Sequence, residues 1–131
     1  MTQSPELTGV APVLLVQDVL LSSDYYRDGL GFKVEGLYGE PTNFAILERD
    51  GLRLMLQQTE PTNVRPHWKV AAGIWNAYFW VKDADRLHAE FVQRGAKIDY
   101  PPGDQPYGCR EFGIQDIDGY DIGFGQILPP S

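Results

Sequence analysis

The residues best suited to chemistry in this chain are aromatic rather than ionisable. Tyr78 and Trp80 fall two apart in an apolar run, with Asn76 two residues earlier, so an extended backbone points all three to one side. Flat side chains stack on planar heteroaromatic molecules and draw cations to their ring faces. Tyr107 stands among Gly103, Pro106 and Gly108, where no core demands an aromatic, and this favours contact with a ligand. Glu40, Glu48, Asp104 and Glu111 offer carboxylates that either complement a cationic compound or are simply solvated, and Arg110 beside Glu111 reads as an ion pair holding a loop. The usual catalytic groups are sparse. His67 lies in a proline-bearing stretch and His88 inside a helical one, each with an ordinary surface or packing role. No Ser-His-Asp or Cys-His arrangement occurs, and Cys109 has no neighbouring histidine to activate its thiol, so it reads as a small packing residue.

The bulk composition narrows the partners. Eleven basic against 18 acidic residues leave a formal net charge of −7, which repels phosphate backbones and anionic lipid. Nucleic acid and membrane partners are therefore not expected. The apolar runs are too short to span a bilayer, and the segment from Met1 to Gly9 lacks the basic start and apolar stretch of a signal peptide. One cysteine excludes an internal disulfide and fits a reducing compartment, so a cytoplasmic location is expected. At 131 residues the chain has the length of one domain with a substantial core.

The elements that must position these residues come in a repeat. Asn43 to Gly51 aligns without a gap on Glu111 to Gly119, matching Phe44 with Phe112, Ile46 with Ile114, and Asp50-Gly51 with Asp118-Gly119. Val16-Gln17-Asp18 matches Val81-Lys82-Asp83, and Tyr26 matches Phe91. Each half reads as strand, helix and three strands. In the first half the strand Ala11 to Gln17 leads to Asp18, a helix N-cap, and the helix closes near Gly31. Strands follow over Phe32 to Tyr38, Phe44 to Arg49 and Leu52 to Gln58, the last two joined by the strong hairpin signal Asp50-Gly51. The second half reads as Trp75 to Val81, the helix Ala84 to Arg94, Lys97 to Asp99, Arg110 to Gln115 and Tyr120 to Gln126. The expected fold is α+β, two tandem βαβββ modules forming a curled mixed sheet with helices outside. Residues 1–10 are then an N-terminal extension, 11–58 the first module, 59–73 a linker and 74–128 the second module, all within one structural domain. The concave face of such a sheet is the natural ligand site.

Pro12 to Asp18, followed by Tyr25-Tyr26-Arg27-Asp28-Gly29-Leu30-Gly31-Phe32, resembles the opening of the vicinal oxygen chelate superfamily. Gln105 to Phe112, followed by Asp116-Ile117-Asp118-Gly119, is similar to the closing signature of its bleomycin resistance protein branch. The superfamily holds metal-dependent isomerases and dioxygenases, thiol transferases and metal-free binders, so fold alone does not decide function. The resemblance implies metal-ligand positions at Ala11, Met55, Asn76 and Gly123. Divalent metals of catalytic use need several imidazole, carboxylate or thiolate ligands, and none of these four is His, Asp, Glu or Cys. A shift of two residues along the strands reaches Val13, Arg53, Gln57, Asp121 or Gly125, of which only Asp121 is a plausible ligand. No metal and no cofactor is expected, and enzyme activity is not favoured.

In the bleomycin resistance proteins an aromatic from the third strand and one from the Gln-Pro-x-Gly loop sandwich a planar tail, which the resemblance carries onto Phe44 and Tyr107. The loop residue there is usually Trp, so Tyr107 is a departure with a smaller stacking face. Phe44 has two readings, a stacking wall or a core position duplicated in Phe112. The expected ligand-binding set is Phe44, Tyr107, Tyr78, Trp80, Asn76 and Gln57, with no catalytic residue. Small members of the family pair, which implies a homodimer with the groove between subunits. The expected function is sequestration of a planar, cationic small molecule. A metal-dependent glyoxalase-like or dioxygenase-like enzyme and a ligand-sensing module with an unrelated ligand are the alternatives.

Overall fold

Two near-identical capping arrangements start the two halves. The Asp18 carboxylate accepts the N–H groups of Leu20 and Leu21 at 3.1 Å and opens helix α1 (Val19–Leu30), which Gly31 closes in the left-handed region at φ 73°. Asp83 does the same through Arg86 N–H for α2 (Ala84–Arg94), closed by Gly95 at φ 84°. The computed structural model describes residues 5–130. Part of the expected N-terminal extension, residues 1–4, lies outside them, and residues 5–10 are exposed chain without regular structure.

In the first module β1 (Val13–Val16) runs parallel to β4 (Leu52–Gln58), and β3 (Phe44–Arg49) and β2 (Lys33–Tyr38) continue the sheet antiparallel, in the order β1-β4-β3-β2. The second module repeats this with β5 (Ala77–Trp80), β8 (Asp121–Ile127), β7 (Cys109–Gln115) and β6 (Lys97–Asp104) in the order β5-β8-β7-β6. The duplicated α+β architecture is the expected one, with its eight strands divided between two four-stranded mixed sheets. Both helices pack on the core-facing side of the sheets, away from the groove face, and a single buried cluster draws Leu14, Leu54 and Leu56 from one module and Phe112, Ile122 and Phe124 from the other. The opposite face of each sheet is left for a groove.

Several element boundaries differ from those read in the sequence, that of β1, confined to Val13–Val16, among them. Strand β5 begins at Ala77, leaving Trp75 and Asn76 ahead of it. Strand β6 continues to Asp104, bending through register shifts around Pro101 and Pro102. The linker carries two short 3-10 turns, Pro61–Asn63 and His67–Lys69, with Pro66 fully buried between them.

The two hairpins also differ. Asp50 and Gly51, at φ 54° and 81°, make a two-residue turn between the paired Arg49 and Leu52. The second turn spans 116–120, between the paired Gln115 and Asp121, with the Asp116 carboxylate accepting from Asp118 N–H and Tyr120 N–H. Against β4 and β8, whose core residues stay in step, β7 is displaced by one residue relative to β3. Core-facing Phe112 and Ile114 therefore correspond to Ala45 and Leu47, and Glu111 corresponds to Phe44. A one-residue slip moves every side chain to the other face. Phe112 is fully buried while Phe44 is half-buried on the outer face, so the gap-free match of these two phenylalanines does not make them equivalent core positions.

The modules meet along two seams related by the repeat. At one, Gln17 N–H and the Ser22 hydroxyl donate to the Asp118 carboxylate at 3.1 and 3.2 Å, and the Tyr26 hydroxyl to Asp116 at 2.7 Å. The Tyr120 hydroxyl donates to Leu15 O, and linker residue Trp68 donates through Nε1–H to Gly119 O at 2.6 Å. This seam is closed. At the other, Arg49 donates to both oxygens of Glu90 and to Leu30 O, and the tip of the first hairpin remains exposed.

Candidate functional site

The outer face of the second sheet has a floor of glycine and a cover of aromatic rings. Gly113, Gly123 and Gly125 lie side by side on β7 and β8, and Tyr100, Trp75 and Tyr78 rest on them. A Cβ on Gly113 would collide with the Tyr100 ring, one on Gly125 with the Tyr78 hydroxyl, and one on Gly123 with Tyr78 and Trp75. The glycines are thus the space into which the rings settle.

Glu111 sits at the centre of this face, 3% exposed. Its Oε1 accepts the hydroxyls of Tyr78 at 2.9 Å and Tyr107 at 2.7 Å, and its Oε2 accepts that of Tyr100 at 2.7 Å. Trp75 Nε1–H donates in turn to the Tyr100 oxygen at 2.8 Å. Burial and then donation to Glu111 push all three phenols up, Tyr107 to about 12 and the others higher than their ordinary value, so they remain donors across the neutral range. A buried carboxylate with this many partners is satisfied without a counter-cation, and it charges the face negatively from below.

Above it lies a recess of about 420 Å³ lined by Trp75, Tyr78, Trp80, Tyr107 and Cys109. Trp75 and Tyr78 meet edge to face at 4.7 Å, Tyr78 and Trp80 at 5.3 Å. Trp80 and Tyr107 remain 64% and 57% exposed, so rings on opposite sides of the recess are free to contact a guest. A larger cavity of about 630 Å³ lies at the open seam, away from this carboxylate.

Of the residues expected from sequence, Tyr78, Trp80 and Tyr107 are brought together in this recess. Phe44 and Gln57 are direct partners across β3 and β4 on the first sheet. Phe44 leans on Tyr38 at 6.3 Å, and Gln57 Nε2–H donates to Asn43 O and Gln58 O. Asn76 Oδ1 accepts from His67 N–H at 2.9 Å and so ties the linker to the start of β5. Arg110 pairs with Asp85 and Asp104 rather than with Glu111, because adjacent residues of a strand face opposite ways. Sequence reading missed Tyr100 and Trp75 as members of the site and offered Glu111 only as one of four carboxylates able to complement a cation. The spacing of Gly113, Gly123 and Gly125 was the available signal.

The residues at the metal-ligand positions do not fit a divalent ion. Ala11 and Gly123 offer nothing, Met55 offers a thioether, and the Asn76 oxygen is taken by His67 N–H. Among the described residues no group of three or more His, Cys, Asp or Glu is placed to hold a metal. Asp121 has a buried Oδ1 without a partner, and burial first, then Asp99, raises its carboxyl to about 6. No helix among the described residues is long and apolar enough to cross a membrane.

Residues 9–124 match the family model described as the Glyoxalase/Bleomycin resistance protein/Dioxygenase superfamily. No curated protein sequence matches. Among solved structures, the bleomycin-binding protein of bleomycin-producing Streptomyces verticillus, complexed with copper(II)-bleomycin, is 29% identical with a TM-score of 0.71, covering 97% of this chain and 100% of that one. TioX from Micromonospora sp. ML1 is 25% identical with a TM-score of 0.72, covering 92% of this chain and 99% of its own. TnmS3, an antibiotic binding protein from Streptomyces sp. CB03234, is 20% identical with a TM-score of 0.71 over 95% of this chain and 99% of its own, a likeness of fold.

Proposed function

The chain belongs to the glyoxalase/bleomycin resistance protein/dioxygenase superfamily, and from that premise we propose that it is a metal-free binder of the bleomycin-resistance type, which sequesters a planar, cationic small molecule and performs no chemistry on it. The observation that carries this reading is the recess of Trp75, Tyr78, Trp80 and Tyr107 laid over one buried carboxylate. Donation of a phenol hydroxyl to an anion moves electron density into the ring, and an electron-richer ring face attracts a cation more strongly. The net charge of −7 acts in the same direction at long range.

The groove is completed by a second copy of the chain. The first sheet of one copy faces the second sheet of the other, and Phe44 and Gln57 stand opposite Tyr78, Trp80 and Tyr107, with Asn76 at the rim. Support comes from the outer face of β1, where Val13 and Leu15 are 53% and 40% exposed beside Met55 and Phe44, an apolar surface suited to burial in an interface. The likeness to a protein that holds copper(II)-bleomycin makes bleomycin the first compound to try.

Isothermal titration of the full chain with metal-free bleomycin tests the reading. A dissociation constant of about 1 μM or tighter is expected, with Tyr107→Ala weakening it roughly tenfold. Absence of heat at millimolar ligand would overturn bleomycin as the guest. A stoichiometric transition metal in protein purified without chelator would overturn the metal-free reading.

A further inference from the structure

The two seams between the modules are built from equivalent parts, and only one of them is filled. On the closed side Leu15, Gln17, Ser22 and Tyr26 of the stretch from Leu15 to Tyr26, which also holds Val16 and Asp18, bond to the second hairpin. The repeat places Trp80, Val81, Lys82, Asp83, Leu87 and Phe91 at the same positions on the other side, opposite Asp50 and Leu52 of the first hairpin, and there they line the cavity of about 630 Å³.

What fills the closed seam is aromatic. The phenol of Tyr120 is 3% exposed and reaches Leu15 O, the indole of Trp68 caps Gly119, and Pro66 of the linker lies against that glycine. The counterpart of Tyr120 on the open side is Leu52, which is 50% exposed and does not reach inward. Asp118 bridges its seam to the start of α1, whereas Asp50 pairs only with its neighbour Arg49, at 3.4 Å. The open cavity keeps an interior of phenyl rings: Phe79 crosses Phe32 at 6.0 Å and stacks on Phe124 at 5.5 Å, and Phe91 meets Phe124 edge to face at 5.1 Å. Its charges sit at the mouth and are largely matched. Arg49 is held by Glu90 and Leu30 O and Asp83 caps α2, which leaves Lys82 as the charged lining residue not drawn into such a contact.

We propose that this open seam is a second binding site, sharing only Trp80 with the aromatic recess, for an uncharged molecule of one or two fused aromatic rings. Such a guest supplies the rings that Tyr120 and Trp68 supply on the other side. The volume is within the range of small-molecule sites, and the phenyl rings of Phe32, Phe79, Phe91 and Phe124 offer an aromatic guest stacking and edge contacts. The inference does not depend on the proposed function, because none of the tyrosines on Glu111 lines this cavity.

Amide chemical shifts of the full chain, titrated with naphthalene and with naphthalene-2-sulfonate, test it. Naphthalene is expected to move Val81, Leu87, Phe91 and Phe124 and to bind there at least as tightly as the sulfonate. Leu52→Tyr, which installs the closed seam's residue, and Leu87→Trp, which fills the cavity from the helix, are each expected to weaken naphthalene about tenfold or more. Shifts centred on Trp75, Tyr78 and Tyr107 would overturn the seam site while leaving the recess intact. So would unchanged affinity in both variants, or a clear preference for the sulfonate, which would make Lys82 the determinant. If Leu52→Tyr fails to fold, Leu87→Trp decides.

Discussion

The outer faces of the two sheets are built at equivalent positions from opposite materials. The first presents Val13, Leu15, Phe44, Ile46, Met55 and Gln57, side chains that fill their own places. The second presents Tyr78, Trp80, Glu111, Gly113, Gly123 and Gly125 at the matching places, so that large rings lie flat over missing ones around a buried charge. Duplication supplied two scaffolds with one topology. The aromatic recess lies on the sheet whose floor was emptied, because a glycine floor lets rings and a carboxylate be held by hydrogen bonds rather than by close packing alone.

Truncation should separate the two faces most sharply at the pair that the sequence aligns. Phe112→Ala removes a fully buried ring stacked on Phe124 at 5.3 Å and should cost about 4 kcal/mol in denaturant unfolding. Phe44→Ala, half-buried on the outer face, should cost about 1 kcal/mol. Equal costs would mean that the one-residue displacement of β7 is wrong. A smaller contrast is expected between Gly125→Ala and Gln57→Ala. The former drives a methyl into the Tyr78 hydroxyl and should cost about 2 kcal/mol while weakening the recess guest. The latter should stay within about 0.5 kcal/mol, measured the same way.

The smallest expected effect concerns pH at the closed seam. Burial raises the Asp116 carboxyl to about 6, so the folded chain keeps a proton that the unfolded chain has already released. Bound protons are then more numerous in the folded state, and stability falls as pH rises from about 4 to about 6, then levels off. Asp121 is shifted the same way and adds to the slope. Asp116→Asn keeps an acceptor for Tyr26 and should flatten, without abolishing, the fall in melting temperature over that interval. A melting temperature that climbs with pH there would contradict the assignment.

Much of this molecule was legible before its structure. Asp18 with Gly31 and Asp83 with Gly95 bracket the helices as capping chemistry requires, and Asp50-Gly51 announces its hairpin. Tyr78, Trp80 and Tyr107 were recognisable from alternation and loop composition, and the structure gathers them. What escaped is what depends on length and register. The turn at 116–120 hides its extra residue behind a second Asp-Gly, so a gap-free alignment put Glu111 opposite Asn43 instead of Phe44. Pro101 and Pro102 signalled an early end to β6, yet the strand bends past them and delivers Tyr100. Arg110 and Glu111 looked like partners because they are neighbours in sequence, and the pleat separates them.

That extra residue in the second turn also says what kind of change this protein tolerates. The loop lies far from the aromatic recess along β7, and substitutions at its exposed Ile117 touch nothing there. Deleting one residue there can leave a two-residue turn like Asp50-Gly51, which holds the equivalent strand pairing. A one-residue slip of β7 itself would instead steer the Glu111 acid into the oily interior and the Phe112 ring out to water. Descendants of this gene are therefore free to drift in spelling at that loop, and a change in its length is harmless only where the turn rather than the strand absorbs it.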